Sequence, residues 1–378
     1  DHYAGSRCGR SEADSSRRPL CASGDREIHD RTGMVARSGN FRRLLSRLCS
    51  ARYLGFVTRR QRLSRFFDPF ILSILVILVL GILIPVPAVL VNALGYLGNA
   101  LIVLLFFLYG ARLSTKEIWE GLKNWRLQGA VALSTFVLFP LLGIVMHPLD
   151  LKLLGPVFAL GTLYLTLLPS TVQSSVTFTS IAGGNIAGAV CSATISNIAG
   201  IILTPALVFV VMGRASGIEA TRVVNVLLQL LLPFVLGQLL HRFIGKWLNT
   251  HRALTKATDN GTILAIVASS VCGATAGGLW QKISAQQVGL LLLQCLIVLA
   301  IMLTLTWNLG RWISLNRRDR IVLLMCGSKK SLATGLPMAA IIFPPATVAA
   351  VTIPVIVFHQ FQLVVCAVLA RRLAAKPA

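Results

Sequence analysis

Two adjacent lysines, Lys329 and Lys330, lie inside a segment that is otherwise apolar from Ile321 to Phe343. In a membrane-spanning segment, each ammonium near the bilayer centre costs roughly 2.5–3.5 kcal/mol on insertion scales. Such a charge is tolerated where it faces the protein interior or a wet cavity, and there it usually marks a substrate or ion path. The pair therefore predicts a transport site. The competing interpretation is a buried lysine pair held by carbonyl groups, with no transport role.

The residues around the lysines disfavour an unbroken helix. Gly327, Ser328 and Ser331 are poor helix formers, so we expect the helix to break at the lysines and to free backbone groups for binding. A second apolar segment carries a similar interruption at Leu168-Pro-Ser-Thr-Val-Gln-Ser-Ser175, where the proline removes a backbone donor.

The two interrupted segments share a short pattern. Gln173-Ser-Ser-Val-Thr177 and Lys330-Ser-Leu-Ala-Thr334 agree at the Ser and at the Thr. Paired broken helices in an inverted repeat are the best sequence pointer to a transporter site near the middle of the membrane. We therefore predict an internal repeat, with a chance match as the alternative.

The composition is that of a membrane protein. Hydrophobic residues make up 55% of the 378 residues and charged residues 13%, against about 25% charged in a typical soluble domain. The net charge of +23 does not indicate a nucleic-acid partner, because 15 arginines lie in residues 1–65 and most other basic residues lie in one set of loops. The eight cysteines are scattered without metal-ligand spacing, so neither a metal site nor a disulfide framework is predicted.

Apolar runs of helix length predict an all-α membrane protein with ten membrane spans. In the short loops, fifteen Lys and Arg residues fall on one side of the membrane and four on the other. This bias places both termini in the cytoplasm of a multi-pass protein in the inner or plasma membrane, which requires an even number of spans. The predicted spans are 69–90, 92–111, 128–147, 152–181 (interrupted), 186–212, 221–241, 260–278, 285–309, 320–343 (interrupted) and 345–370.

The chain divides into four predicted parts. Residues 1–65 are rich in Arg, Ser and Gly and cannot bury a core, which predicts a disordered basic arm. Met34 is the first methionine, so residues 1–33 are interpreted as a non-native extension. Because the two interrupted spans lie five spans apart, the second half enters the membrane in the opposite sense, as an inverted repeat. The first repeat is 66–212, the second runs from 213–243 onward to 372, and a cytoplasmic tail is 373–378.

Three motifs carry a resemblance to a known family. They are Leu168-Pro-Ser-Thr-Val-Gln-Ser-Ser-Val-Thr-Phe-Thr-Ser180, the turn Gly183-Gly-Asn185 with Ile201-Ile-Leu-Thr-Pro205, and Cys326-Gly-Ser-Lys-Lys-Ser-Leu-Ala-Thr-Gly-Leu-Pro337. These motifs resemble the bile acid:sodium symporter superfamily, and most of all its divergent branch of bacterial symporter-like proteins and a vertebrate orphan member. The resemblance covers about residues 66–372. It implies two inverted five-helix repeats with discontinuous fourth and ninth helices, a core domain (spans three to five and eight to ten) and a panel domain (spans one, two, six and seven).

The resemblance also implies an ion site behind the crossing of the two broken helices. By position, Ser174 and Ser175 match the ligands that sodium-coupled members have on the fourth helix. Ser192 or Thr194 lies near the fifth-helix ligands, and Ser134 or Thr135 lies near the third-helix ligand. The full candidate set for substrate and ion binding is Gln173, Ser174, Ser175, Thr177, Ser192, Thr194, Thr135, Ser328, Lys329, Lys330, Ser331 and Thr334.

The ninth helix departs from the family pattern. Met325 or Cys326 stands where the family has a Glu, and Lys329 stands near its Gln. All seven acids beyond residue 65 lie in loops or at span ends, so we expect no carboxylate in the membrane interior. A lysine ~4 Å from a sodium ion would repel it by roughly 4 kcal/mol at an effective dielectric of 20. We therefore expect no cofactor, and we expect the ammonium of Lys329 or Lys330 to occupy the cation position, with coupling to protons through lysine deprotonation or no coupling.

The lysines and the amino ends of the half-helices near Ser175 and Ser331 together suit an anion. The sequence thus predicts a secondary transporter, a symporter of a small organic anion that works by alternating access. It does not predict an enzyme, because a Ser-His-Asp constellation within the membrane would lack its Asp. His359, inside the tenth span, is a candidate proton carrier, with a helix-packing histidine as the alternative.

Two other functions stay open at this point. A metalloid or inorganic ion exporter of the same fold would use a cysteine at the crossing, and Cys326 is adjacent to the break. A non-transporting membrane regulator of ion homeostasis would depend on the basic loops rather than on the lysines. The oligomeric state has no signal in the sequence.

Overall fold

The computed structural model describes residues 69–84, 86–113, 124–213 and 220–375. The predicted disordered arm and the expected start near Met34 lie outside these described residues. The predicted tail is helical as far as Ala374.

The described part of the chain is built from helices and contains no strand. A π-helical turn, Ser134–Leu138, joins the third and fourth helices, and a second one, Val208–Met212, extends the sixth. In chain order the helices are α1 (Pro69–Leu83), α2 (Ala88–Arg112), α3 (Trp125–Leu133), α4 (Phe139–Thr166), α5 (Gln173–Ile181), α6 (Ile186–Leu207), α7 (Ala220–Thr250), α8 (Arg252–Ala276), α9 (Ala285–Trp312), α10 (Arg317–Gly327), α11 (Leu332–Ile342) and α12 (Pro345–Ala374).

Six helical stretches of the described residues are long and apolar enough to cross a membrane. Large apolar side chains such as Val210, Leu239 and Phe243 are exposed on the outside of the helices, as expected where lipid is the solvent. The prediction of a helical membrane protein is confirmed, and the count of ten spans stays a prediction. The six stretches are Val89–Arg112, Trp125–Thr166, Ile186–Met212, Val224–Leu248, Ala285–Trp312 and Thr347–Ala374.

Helix α4 is a hairpin of two arms, because Gly155 has φ 74° and ψ 171°, a conformation that favours glycine. The arms, 139–154 and 156–166, pack side by side, and the hydroxyl of Thr162 donates to a carboxylate oxygen of Asp150 at 2.9 Å. Asp150 is only 3% exposed. This corrects the expectation that every acid beyond residue 65 lies in a loop or at a span end. The helix continues past Asp150 to the glycine, and the second arm covers the carboxylate.

Three helices begin at asparagines that converge on one carboxylate. Asn124, Asn185 and Asn316 are the N-caps of α3, α6 and α10, and each side-chain oxygen accepts from a backbone N–H of its own helix. Each side-chain amide also donates to Asp319, at 3.1, 2.8 and 2.9 Å. Asp319 is buried in the first turn of α10. These four residues, the Asp319 clasp, fix three helix ends to one another.

Helices α2 and α7 approach through two glycines. A Cβ atom at Gly110 would overlap the backbone carbonyl of Phe234, and one at Gly237 would overlap that of Phe107. Such close backbone approach between small residues is typical of helices that pack within membranes. The pair is therefore held at a distance that no larger residue permits.

Gly110→Ala should destabilise the protein by about 2–3 kcal/mol, because the added methyl group meets backbone rather than a movable side chain. Gly95→Ala in the same helix is the matched control, since a Cβ there has nothing within 4 Å. The control should be neutral or stabilising by up to about 1 kcal/mol. Unfolding in detergent, followed by circular dichroism, measures both; equal stability of the two variants would contradict the close packing.

Candidate functional site

The two interrupted segments meet at their breaks. The first gap lies between α4 and α5 and the second between α10 and α11, so both predicted interruptions are present. The backbone N–H of Ser331 donates to the carbonyl of Pro169 at 2.9 Å, and the hydroxyl of Ser170 donates to the carbonyl of Cys326 at 2.6 Å. The hydroxyl of Ser175 donates to Met325 at 2.9 Å. Each break thus satisfies backbone groups that the other leaves free.

Helix α6 supports the first break from behind. The hydroxyl of Ser196 accepts from the backbone N–H of Ser170 at 3.0 Å, and the side-chain amide of Asn197 donates to the backbone carbonyl of Ser170 at 2.7 Å. About two turns further along, the hydroxyl of Thr204 donates to the carbonyl of Leu167 at 3.0 Å. The non-helical backbone is therefore positioned by side chains of a neighbouring helix.

Lys330 is a buried ammonium in a cage of carbonyl oxygens. Its Nζ donates to the carbonyls of Thr135 and Thr166 at 2.9 Å each and to that of Leu168 at 2.6 Å. The side chain is 1% exposed, and Nζ lies 4.1 Å from the centre of the Phe139 ring. An ammonium has three donors, so all of them are satisfied. The Thr166 and Leu168 carbonyls lie at the carboxyl end of α4, where the helix dipole also favours a cation.

The Thr135 carbonyl is free for Lys330 because of the π-helical turn. The N–H of Phe139 donates to Ser134 rather than to Thr135. The following residue, Pro140, has no N–H to offer. The turn and the proline therefore leave the Thr135 carbonyl without its usual helical partner, next to the lysine.

The backbone of Lys330 is held by Gln362 of α12. Gln362 accepts from the N–H of Lys330 and donates to its carbonyl, at 2.9 Å each. The same side-chain amide lies 2.7 Å from Nδ1 of His359. His359, the candidate proton carrier, is therefore in contact with the break through Gln362 and not through a lysine ammonium.

Lys329 has a much poorer environment than its neighbour. It is 0% exposed, and its Nζ lies 3.5 Å from the hydroxyl of Ser174 and 4.6 Å from the centre of the Phe178 ring. The distance to Ser174 exceeds the 2.7–3.2 Å usual for such a bond. Both contacts are on α5, and Ser174 belongs to its first turn, where backbone N–H groups have no helical partner.

Three other predicted residues have buried hydroxyl groups with no partner among the described residues. The oxygens are Oγ1 of Thr135, Oγ of Ser192 and Oγ1 of Thr334. Buried hydroxyls without a partner are uncommon and each calls for an explanation, such as an ion or water that binds there. The structure thus places buried hydroxyl groups without a described partner on three of the segments that were predicted to contribute to the site.

The remaining predicted residues divide into two groups. Ser331 caps α11, and Ser328 donates to Leu324 of its own helix, so both serve the break itself. Gln173 and Thr177 are exposed, and the hydroxyl of Thr177 donates to the backbone carbonyl of Gln173. Thr194 is half-buried, whereas its alternative, Ser192, is buried. The structure therefore does not bring Gln173, Thr177 and Thr194 to the lysines.

Two contributors to the site were missed in the sequence. Gln362 is a polar residue inside a long apolar helix, which is a usable signal. The carbonyls that hold Lys330 carry no side-chain signature, and only Pro140 hints at one of them. Asp150 was misplaced because Pro148 and Lys152 make its surroundings look like a loop.

Comparison with known proteins identifies the family. Residues 68–375 match the SBF-like CPA transporter family. The chain belongs to this family. It is 42% identical over 313 residues to a protein named Putative symporter YfeH from Escherichia coli K12, covering 82% of this chain and 94% of that protein. It is 40% identical over 309 residues to Uncharacterized protein PA2026 of Pseudomonas aeruginosa (81% and 93%) and 24% identical over 272 residues to Sodium/bile acid cotransporter 7 of Mus musculus (70% and 79%).

Family membership confirms the predicted resemblance to the bile acid:sodium symporter superfamily. Together with the apolar helices, it identifies the chain as a multi-pass membrane protein of a transporter family.

Proposed function

We propose that the protein is a secondary transporter that moves a small organic anion by alternating access at the crossing of the two breaks. The observation that carries this proposal is Lys329, a buried ammonium that faces the amino end of α5 with one weak hydrogen bond. A cation beside free backbone N–H groups attracts a carboxylate or a similar anion. Membership of a transporter family supports the same conclusion.

The proposed topology has ten spans in two inverted repeats, with both termini in the cytoplasm. In this arrangement the second arm of α4 and α5 contribute the broken fourth span, and α10 and α11 contribute the broken ninth. The closely packed pair α2 and α7 belongs to the panel, and the helices joined by the Asp319 clasp belong to the core. A rigid panel and a rigid core suit rocking of one against the other.

Sodium, which the family's name and relatives suggest, does not fit the carbonyl cage of this chain. The ammonium of Lys330 already donates to all three carbonyls, and two cations so close would repel. We therefore assign Lys330 the role of a tethered cation. Its ammonium donates to the three carbonyls at all times, so the crossing carries a positive charge without binding a cation from solution.

The two lysines then have different tasks. Lys330 holds the breaks together, and Lys329 is the charge that an anionic substrate can pair with, because its own partners are few. Substrate entry requires movement of α5, since Ser174 and Phe178 cover the ammonium. Alternating access provides such a movement.

We expect a thermal-shift screen of the purified protein to find organic anions that raise its Tm. A ligand at 100 times its Kd stabilises the folded state by about 2.7 kcal/mol. Carboxylates and sulfonates are screened with sodium, potassium and pH varied. Lys329→Met should remove the shift, and replacing sodium by potassium should not.

The control is Lys152→Met, which removes an exposed lysine and should keep the shift. The proposal fails when no anion stabilises the protein, or when Lys329→Met responds as the wild type does. Transport in vesicles that rises steeply with sodium and is indifferent to both Lys329→Met and Lys330→Met would also overturn it.

A metalloid or inorganic ion exporter would need a thiol that is open to a substrate at the crossing. The thiol of Cys326 lies beside the crossing, close to Ser175 and Lys329, but it is fully buried in a cluster of apolar residues, 3.8 Å from the carbonyl of Ala189. The anion transporter is therefore the function that the geometry supports best.

A further inference from the structure

Asp150 is a buried carboxyl group that the proposed transport cycle has not used. It lies five residues before the Gly155 turn, about 7 Å along the first arm of α4. The hydroxyl of Thr162, on the second arm, donates to its Oδ2 at 2.9 Å, and the side chain of Gln294 on α9 also reaches it. A buried acid is seldom retained in a membrane protein without a function.

A small cavity extends from this carboxyl group toward the lysine cage. Its volume is about 10 Å³, near the lower limit for one water molecule. Three elements line it: the first arm of α4 with Gly143 and Asp150, the second arm with Thr162 and Thr166, and α9 with Gln294. A water there has polar partners at both ends.

Thr166, which lines the cavity, also belongs to the lysine cage through its backbone. The carbonyl of Thr166 accepts from Nζ of Lys330 at 2.9 Å. Thr162 and Thr166 are one helical turn apart, about 6 Å. The second arm of α4 thus carries both Thr162, which donates to Asp150, and Thr166, whose carbonyl accepts from the ammonium of Lys330. A movement of this arm caused by a change at Asp150 therefore also moves the Thr166 carbonyl.

Lys330 itself is badly placed to exchange protons. All three of its N–H groups are bonded to carbonyls at 2.6–2.9 Å, and release of a proton would leave a carbonyl without a donor. A carboxyl group with one hydroxyl partner and a water-sized cavity can gain or lose a proton without breaking a cage.

We propose that Asp150 is a proton-binding site of the transporter, linked to the lysine cage by Thr162, Thr166 and the cavity between them. The carboxylate takes up a proton from water on the side of the Gly155 turn and releases it to the same side, so one proton is bound and released in each cycle without crossing the membrane. Protonation weakens the bond from Thr162 and loosens the arm that holds Thr166. The coupling to transport rests on the proposed function, whereas the binding of the proton does not.

Few other titratable groups face this carboxyl group. On its own helix, His147 lies one turn away, with its Nδ1 buried and without a partner among the described residues. On α9, Cys295 lines the same cavity, and its thiol lies 3.9 Å from the carbonyl of Pro354 on α12. The second arm contributes Thr162 and no charged group.

The test is an infrared pH titration of the purified wild-type protein in lipid, which needs no substrate. The whole chain has 13 acidic residues, so the carbonyl stretch of one protonated buried carboxyl group can be resolved. Asp259, a half-buried acid on α8, is the control. We expect a titrating band in the wild type that Asp150→Asn removes and Asp259→Asn keeps. Asn retains an oxygen that can accept from Thr162, so the hairpin should still form.

Two further variants separate a proton site from a structural contact. Thr162→Val, which removes the donor, should shift the midpoint of the band, and so should Lys330→Met if the cage and the carboxyl group are linked. A wild-type spectrum with no buried carboxyl band that titrates would overturn the proposal even if Asp150→Asn fails to fold. An Asp150→Asn spectrum that keeps every titrating carboxyl band of the wild type would overturn it as well. Anion-induced shifts in Tm that persist in either case would leave the proposed function standing.

Discussion

Lys330→Met should make the stability of the protein depend on sodium. The variant keeps the length of the side chain but removes the ammonium from the three carbonyls that it satisfies. In sodium-free buffer we expect a loss of about 3–5 kcal/mol in the free energy of unfolding, because three buried carbonyl oxygens are left without a donor at a cost of about 1–3 kcal/mol each. Added sodium should restore part of the lost stability, because the three carbonyl oxygens and the ring of Phe139 then surround the position that the ammonium of Lys330 occupied, where a cation can bind.

The measurement is the Tm of the variant in sodium chloride against choline chloride at equal ionic strength. A sodium concentration 100 times the Kd would restore about 2.7 kcal/mol, whereas the wild type should show no difference between the salts. Lys329→Met is the matched control, since among the described residues the neighbouring ammonium has a single long hydrogen bond, to Ser174, and lies against the Phe178 ring. The control should lose less stability and gain no sodium dependence.

A Lys330→Met variant that is as stable as the wild type, or that remains indifferent to sodium, would contradict the tethered-cation role. Destabilisation without sodium dependence would show that the ammonium supports the fold but does not stand in for an ion. Both results would leave the proposed role of Lys329 untouched, because its test is the anion-induced shift in Tm.

The breaks could be predicted from the sequence because their causes are local. Pro169 and the run Gly327-Ser328 disfavour a helix wherever they stand, and paired lysines in an apolar segment imply burial against protein. The partners of those lysines could not be predicted. The carbonyls of Thr135, Thr166 and Leu168 come from two other segments, and any residue type supplies a carbonyl.

The polar residues of the first broken segment show the limit of pattern matching. Ser174, Ser175 and Thr177 were all in the predicted set of binding residues, yet only the two serines face the second break, and Thr177 is exposed. Which face of α5 turns inward depends on how the chain leaves Pro169, and this follows from tertiary contacts such as that between Ser331 and Pro169.

The Asp319 clasp could not be predicted from the sequence either, because it also depends on tertiary contacts. Asn124, Asn185 and Asn316 each read as an ordinary helix N-cap, a local role that their side-chain oxygens do perform. Their amide nitrogens remain available, and the fold brings all three to one carboxylate. The clasp therefore ties together helices on both sides of the crossing, so that α6, which supports the first break, and α10, which leads into the second, keep a fixed relation.

Asp319→Ala should lower the free energy of unfolding by about 2–4 kcal/mol, because the amides of two half-buried asparagines, Asn124 and Asn185, and of the exposed Asn316 lose a charged acceptor at the ends of three helices. Asp319→Asn should cost less, since one acceptor oxygen remains. The decisive measurement is a double-mutant cycle between Asp319→Ala and Asn185→Ala, read by unfolding in detergent. If the carboxylate joins the helix ends, the cost of Asn185→Ala should fall by about 1 kcal/mol or more in the Asp319→Ala background. If the losses of stability in Asp319→Ala and Asn185→Ala simply add in the double variant, Asn185 acts only as a helix cap. Other contacts would then have to make the core rigid enough for alternating access.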